Sequence, residues 1–304
     1  MVRLDYLRYF NHLAKVLNFT KAAEDLFVAQ PTLSVAIKRM EQELGVKLFK
    51  RGKGSSRIEL TESGEAYFEY VSLALNNLDT GLRVAREIQG EANSLVRVGT
   101  VYSMQGMTWS QAMQAFLAKK SSPPKISIEQ AYSPELISRL RKGELDVVFA
   151  ARMDDLDDLN YVLVWSQPLV LGLHKNNPFA KRKEISIDDL KSHEILTYPK
   201  ESPVKRIDIE LPVNEMHLVR EYDDEITMST IISSDEQKMA LFCHSFLVNA
   251  FEDVICRKVH GLSEDFHKVY LVSRKETHPK VVDDYISFMS SYRFPNIMET
   301  GQID

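Results

Sequence analysis

Apolar side chains at helical spacing mark the start of the chain. Leu4, Leu7, Phe10, Leu13 and Leu17 recur every three or four residues, which is one face of a helix. Thr20 stands as an N-cap for a second, short helix over residues 21–26, where the small Ala22 and Ala23 let another helix come close. Pro31 falls where a third helix should begin, a position that tolerates proline because first-turn N–H groups lack an intrahelical partner. Leu33, Ile37, Met40 and Leu44 form its apolar stripe, and Gly45 ends it.

The other face of that third helix carries Gln30, Thr32, Ser34, Val35, Lys38 and Arg39. Gln pairs with adenine edges, hydroxyls serve base or phosphate, and Lys or Arg binds phosphate or guanine. Two helices joined by a tight turn, the second presenting such a face, predict a helix-turn-helix. A small bundle with a solvated face would show the same spacing. The following stretch, "KLFKRGKGSSRIELTESG", favours DNA: Lys47, Lys50, Arg51, Lys53 and Arg57 sit in a Gly/Ser-rich hairpin suited to gripping phosphates. A protein–protein module has no need of five cations there.

Beyond Thr61 a proline-free segment runs to about residue 89. Gly64, Phe68, Val71, Leu75, Leu78, Leu82 and Ala85 step alternately by four and three, a heptad seam. One amphipathic helix packed on its own domain is the alternative, and Gly81 costs such a helix ~1 kcal/mol relative to alanine. From residue 95 strand-like runs alternate with helical ones: "LVRVGTVY", "MTWSQAMQAFLAKK", "KISIEQAY", "SPELISRLRKGELDVVFAA". That alternation predicts an α/β domain with a largely parallel sheet.

Charge separates these parts mildly. Residues 1–90 carry 13 Lys and Arg against 11 Asp and Glu, whereas the whole 304-residue chain has a formal charge of −5. Whole-chain acidity does not argue against nucleic acid, because placement of charge decides binding. No apolar run reaches ~18 residues, and "MVRLDYLRYF" lacks a signal-peptide core, so no membrane association and a cytoplasmic location are expected. Cys243 and Cys256 are too few for a disulfide framework or zinc cluster. Cys243 lies in the apolar run "MALFCHSFLV" and reads as an inert thiol, not half of a redox switch. No nucleophile elbow, H-E-x-x-H pair or phosphate loop is present, so no catalytic residue, metal or cofactor is expected and the chain is not read as an enzyme.

The stretch "LRYFNHLAKVLNFTKAAEDLFVAQPTLSVAIKRMEQELGVKLFKR", followed by "LTESGE", resembles the winged helix-turn-helix of LysR-type transcriptional regulators. The Phe-Thr-x-Ala-Ala, Gln-Pro-x-Leu-Ser and Glu-Leu-Gly-Val-x-Leu-Phe-x-Arg runs stand in that family's order and spacing. Ala29 departs from the family's usual Ser before Gln-Pro and removes an N-cap, a loss of ~1 kcal/mol if nothing replaces it. "VRVGT", "LRKGELDVVFAA", "PLVLGLHKNNPFA" and "SIDDLKSHEILTY" extend the resemblance to the effector domain.

The resemblance implies an N-terminal all-α winged helix-turn-helix, residues 1–60, and a dimerising linker helix, 61–90. A C-terminal α/β two-lobed effector domain like periplasmic binding proteins, 91–304, completes the chain. Lobe one would span about 93–163 and 268–300, lobe two about 164–267. The implied function is sequence-specific bacterial transcription regulation set by a small-molecule effector of unknown identity. Double-stranded DNA, a homodimer or homotetramer, and RNA polymerase are the implied partners.

Gln30, Pro31, Thr32, Ser34, Val35, Lys38, Arg39, Arg51, Lys53 and Arg57 would then bind DNA. Phe68, Val71, Leu75, Leu78 and Leu82 would dimerise. Ligands of such folds sit outside the carboxyl ends of strands. That rule nominates Tyr102, Ser103 and Met104, Ala151 and Arg152, and Thr197 and Tyr198. Ser103 could donate to a carboxylate and Arg152 pair with one, or Arg152 could simply neutralise "MDDLDD" at the surface. Many family members carry a Gly-rich step where this chain has Asp235 to Lys238, so a partly filled cleft is expected.

Overall fold

A computed structural model describes residues 2–51, 58–89, 95–104, 106–154, 156–200, 202 and 207–294. It divides into two compact units, Met1–Glu91 with Arg141–Glu144, and Ala92–Leu140 with Leu145–Asp304. Among the described residues no helix is long and apolar enough to cross a membrane.

The first unit contains α1 (Leu4–Val16), α2 (Phe19–Asp25), α3 (Gln30–Leu44), a hairpin of β1 (Phe49–Arg51) and β2 (Ile58–Leu60), and α4 (Glu62–Ile88). Phe10 and Leu13 of α1, Ala22 and Ala23 of α2, and Leu33, Ile37 and Met40 of α3 are buried together. The cap of α2 differs from expectation. Asn18, not Thr20, precedes the helix, and its Oδ1 accepts from the backbone N–H groups of Thr20 and Lys21 at 3.0 and 3.1 Å. Ala29 offers α3 no side-chain cap, as its side chain dictates, and Pro31 occupies the first turn. Gly45 closes α3 at φ +72°, a left-handed conformation that glycine adopts without strain.

Thr61 caps α4 by accepting from Gly64 N–H at 2.9 Å, while its hydroxyl donates to Lys47 O at 2.6 Å. The predicted heptad seam is divided. Val71 and Leu75 are buried in the unit's own core and Phe68 packs against it, edge-on to Phe10. Leu78 and Leu82 are 55% and 49% exposed. The first half of the seam therefore serves the helix-turn-helix itself, and apolar side chains remain uncovered only in the second half.

The second unit begins with β3 (Leu95–Thr100), a 3₁₀ turn (Tyr102–Met104), α5 (Met107–Ala118), β4 (Lys125–Gln130), α6 (Ser133–Arg141), β5 (Val147–Ala150) and β6 (Leu159–Gln167). It continues through β7 (Leu169–His174), α7 (Ile187–Leu190), β8 (Glu194–Leu196), α8 (Ile207–Glu210), β9 (His217–Val219), α9 (Glu225–Ser234) and β10 (Met239–Cys243). β11 (Val254–Arg257), β12 (His267–Arg274) and α10 (Lys280–Ser291) complete it.

Two five-stranded sheets result, ordered β4-β3-β5-β12-β6 and β11-β7-β10-β8-β9. In each, three strands are joined by parallel pairing and the remaining two by antiparallel pairing, so the sheets are more mixed than the alternating sequence pattern suggests. The antiparallel strands carry the chain between sheets. It leaves the first between Gln167 and Leu169 and returns from β11 to β12. Separate apolar cores lie on each sheet, one around Trp109, Phe116, Phe149 and Tyr285, the other around Leu171, Ile195, Met228 and Phe242. This is a two-lobed α/β architecture.

Candidate functional site

In the first unit α3 is two-faced. Leu33, Ala36, Ile37 and Met40 are buried, whereas Gln30, Pro31, Thr32, Ser34, Val35, Lys38 and Arg39 are all exposed. Lys38 and Arg39 pair with no other described residue. Lys47 behaves differently: its ammonium is bonded to Glu41 at 2.7 Å, and Lys50 faces Glu59 at 3.8 Å. Those two cations are partly occupied within the hairpin. Lys53, Arg57 and the side chain of Arg51 lie outside the described residues.

Glu41, on the buried side of α3, ties the hairpin to the helix. Its Oε1 accepts from Leu48 and Phe49 N–H at 2.9 and 3.2 Å. Burial alone would raise this carboxyl, but the Lys47 hydrogen bond and the two backbone bonds outweigh it and hold the pKa below its ordinary value. The sequence pattern did not single out Glu41, because a carboxylate at a core-facing position reads as an exception until its donors are placed. A groove of about 440 Å³ lies between α1 and α3, where Arg3, Tyr6 and Tyr9 adjoin Thr32, Val35 and Arg39. The Arg3 guanidinium stands 5.4 Å from the Tyr6 ring.

In the second unit a cavity of about 630 Å³ opens at the carboxyl ends of the parallel strands. Tyr102 and Ser103 follow β3, Tyr132 and Ser133 follow β4, Tyr198 follows β8, and Cys243 ends β10. The crossover strands add Gln167 and His267, which are register partners in β6 and β12. Ser103 Oγ donates to Gln167 Oε1 at 3.4 Å, and Gln167 Nε2 donates to His244 O at 2.7 Å. The Tyr198 hydroxyl accepts from Cys243 N–H at 3.0 Å. Burial pushes that phenol and the Cys243 thiol well up, so the thiol is protonated and inert. Burial holds the His267 imidazole down at about 4, neutral at ordinary pH.

Of seven nominated cleft residues, Tyr102, Ser103 and Tyr198 line the cavity. Met104 is buried in the core of the first sheet, and the Thr197 hydroxyl is buried and donates to Leu241 O at 2.9 Å. Ala151 gives its N–H to Ser133 Oγ at 3.0 Å. Arg152 is exposed, stacks 5.2 Å from the Tyr161 ring, and donates to Asp154 O at 3.1 Å, so a local turn occupies it. The expected filling of the cleft by residues 235–238 is overturned. That turn precedes β10, at the strand end opposite Cys243, where Glu236 bonds Asn176 and Asn177 and Lys238 pairs with Glu194. The cavity holds none of it.

Residues 4–65 match the family described as "Bacterial regulatory helix-turn-helix protein, lysR family", and residues 89–213 match "LysR substrate binding domain". The chain belongs to the LysR family. Members of this family are DNA-binding regulators of transcription with an effector-binding domain, not enzymes. Among its LysR relatives, the HTH-type transcriptional regulator AlsR of Bacillus subtilis (strain 168) is 33% identical over 202 residues, 66% of each chain. Full-length CbnR, a LysR family transcriptional regulator, shares the fold with a TM-score of 0.69 at 19% identity, covering 95% of this chain and 99% of that one. CbnR has also been solved with its target DNA. The effector binding domain of QuiR in complex with shikimate matches 66% of this chain and 97% of its own, with a TM-score of 0.58 at 17% identity.

Proposed function

We propose that this LysR protein is a cytoplasmic homo-oligomer that reads paired half-sites in duplex DNA and changes its grip when a small molecule enters the cleft. The carrying observation is α3, with one face packed into the core and the other presenting Gln30, Thr32, Ser34, Lys38 and Arg39 to solvent. In this reading Gln30, Thr32, Ser34 and Val35 meet base edges, while Lys38, Arg39, Arg51, Lys53 and Arg57 hold phosphates. The groove beside Tyr6 and Tyr9 gives a phosphate oxygen a place near Arg39. Effector binding would favour one arrangement of the oligomer and thereby alter the spacing or bend imposed on DNA, with RNA polymerase as the eventual reader.

Titration of the protein with its own upstream duplex over a salt series tests this. Binding should weaken steeply with salt, and Arg39→Ala should lower the log–log slope by about 1 while weakening all sequences alike. Gln30→Ala should instead flatten discrimination between operator and scrambled duplex. Salt-insensitive binding by the wild-type chain would contradict the reading.

Oligomerisation rests on the second half of α4, where Leu78, Leu82 and Ile88 are exposed, the last 81%. A Leu78→Asp, Leu82→Asp double variant should sediment as a smaller species at micromolar concentration and bind a single half-site as the wild type does. Retention of the wild-type mass would place the interface elsewhere.

A further inference from the structure

The cleft has an unusual charge balance. Asp223, Asp224 and Glu225 line it at the start of α9, and no Lys or Arg does among the described residues. None of the three carboxylates has a cationic partner among the described residues. Asp224 caps α9, accepting from Thr227 N–H at 2.7 Å, and Glu225 accepts from the Ser245 hydroxyl. The neutral His267 imidazole adds no positive charge. Of the helix N-termini at the cavity, that of α9 is already filled by the chain's own Asp224, and that of α6 opens with Ser133 and Pro134, where proline removes one first-turn N–H.

Aromatic surface stands in the same cavity. Tyr102 and Tyr132 pack edge to face with ring centroids 5.8 Å apart, and both remain substantially exposed. Tyr132 lines the same cavity as Asp223 and Asp224, and burial first, then those two charges, push its phenol up. Carboxylates beside aromatic faces attract organic cations through charge and through the ring quadrupole. A carboxylate ligand would meet repulsion and find no described cation to offset it.

We infer that the cleft takes an organic ammonium compound, its charged head facing Asp223, Asp224 and Glu225 and its body against the Tyr102–Tyr132 pair. This rests on the effector-cleft reading above and narrows it to one chemical class. It also replaces the expectation of a carboxylate held by Ser103 and Arg152, since Arg152 is turned to its own loop.

The test compares benzylamine, benzyl alcohol and benzoate, which share one ring and differ in charge, by calorimetric titration of the full-length protein at neutral pH and fixed ionic strength. Benzylamine should bind roughly tenfold or more tightly than benzoate. Glu225→Gln should weaken benzylamine about tenfold and leave benzyl alcohol unchanged. Asp223→Asn, at an exposed position that carries no fold, should weaken it about threefold. Benzoate binding as well as benzylamine, or amine affinity indifferent to both substitutions, overturns the ammonium assignment while leaving an effector cleft in place. Absence of benzylamine binding overturns it too. Failure of all three compounds to bind would count against the effector cleft itself, and the duplex titration judges DNA binding independently of either.

Discussion

Gly64→Ala should unfold the DNA-binding unit. A β-carbon at this position of α4 would lie 2.0 Å from the carbonyl oxygen of Leu48 and 2.9 Å from its carbon, both backbone atoms that cannot rotate away. The same carbonyl accepts from Thr61 N–H at 3.0 Å, so it is fixed from the other side as well. Relief requires α4 to withdraw from the hairpin, which would pull Val71 and Leu75 out of the core built on Phe10, Leu33 and Met40. Overpacking of this kind costs ~3 kcal/mol or more, comparable with much of a small domain's stability. The expected result is loss of duplex binding and ready proteolysis within residues 1–89. The second unit, with cores of its own, should keep its thermal transition and its cleft. An alanine variant with wild-type DNA affinity would show that α4 does not approach Leu48 this closely. At an exposed mid-helix site the same substitution would be favourable by ~1 kcal/mol, and Gly81, which has nothing within 4 Å of an added β-carbon, provides that control.

Gly64 also shows where the sequence pattern is ambiguous. It falls on the heptad seam, and periodicity cannot say whether a seam faces another chain or its own domain. The deciding fact is a close approach to Leu48, sixteen residues earlier and legible only once β1 and α3 are placed. The cap of α2 has a local ambiguity of the same kind: Asn18 and Thr20 are both good caps two residues apart, and the Asn18 carboxamide reaches two N–H groups. The two-faced α3 was readable because helical periodicity and residue chemistry agree there. In the second unit the rule that ligands meet the carboxyl ends of strands found Tyr102, Ser103 and Tyr198. Applied to the end of "KISIEQAY", it would also have found Tyr132 and Ser133. Asp223–Glu225 were not singled out in the sequence, because only the packing of α9 after β9 turns a charged run into a cleft wall. The turn at 235–238 does lead into β10, as expected, but it lies at that strand's amino end, whereas the cavity opens at the carboxyl end beside Cys243.

Glu41→Ala should cost ~2–4 kcal/mol, because it strips the only described acceptor from two backbone donors, Leu48 N–H at a fully buried residue and Phe49 N–H at a half-buried one. The loss would fall on DNA binding as well as stability, since β1 leads directly into the wing. Glu41→Gln separates the contributions. It keeps an amide oxygen for both N–H groups and loses the ion pair with Lys47, whose side chain is 71% exposed, so it should cost under ~1 kcal/mol. The pH dependence follows from the direction of the shift. The folded carboxyl titrates below its ordinary 4.5 while the unfolded one does not, so the unfolded state binds the proton more readily. The stabilisation is then complete above about 4.5 and is lost as pH falls through the folded pKa. Chemical denaturation of the wild type between neutral pH and the acid range should show this decline in the transition of the first unit, and Glu41→Gln should flatten it. An acid decline equally steep in Glu41→Gln would assign the lability to other carboxylates and leave Glu41 a role in packing alone.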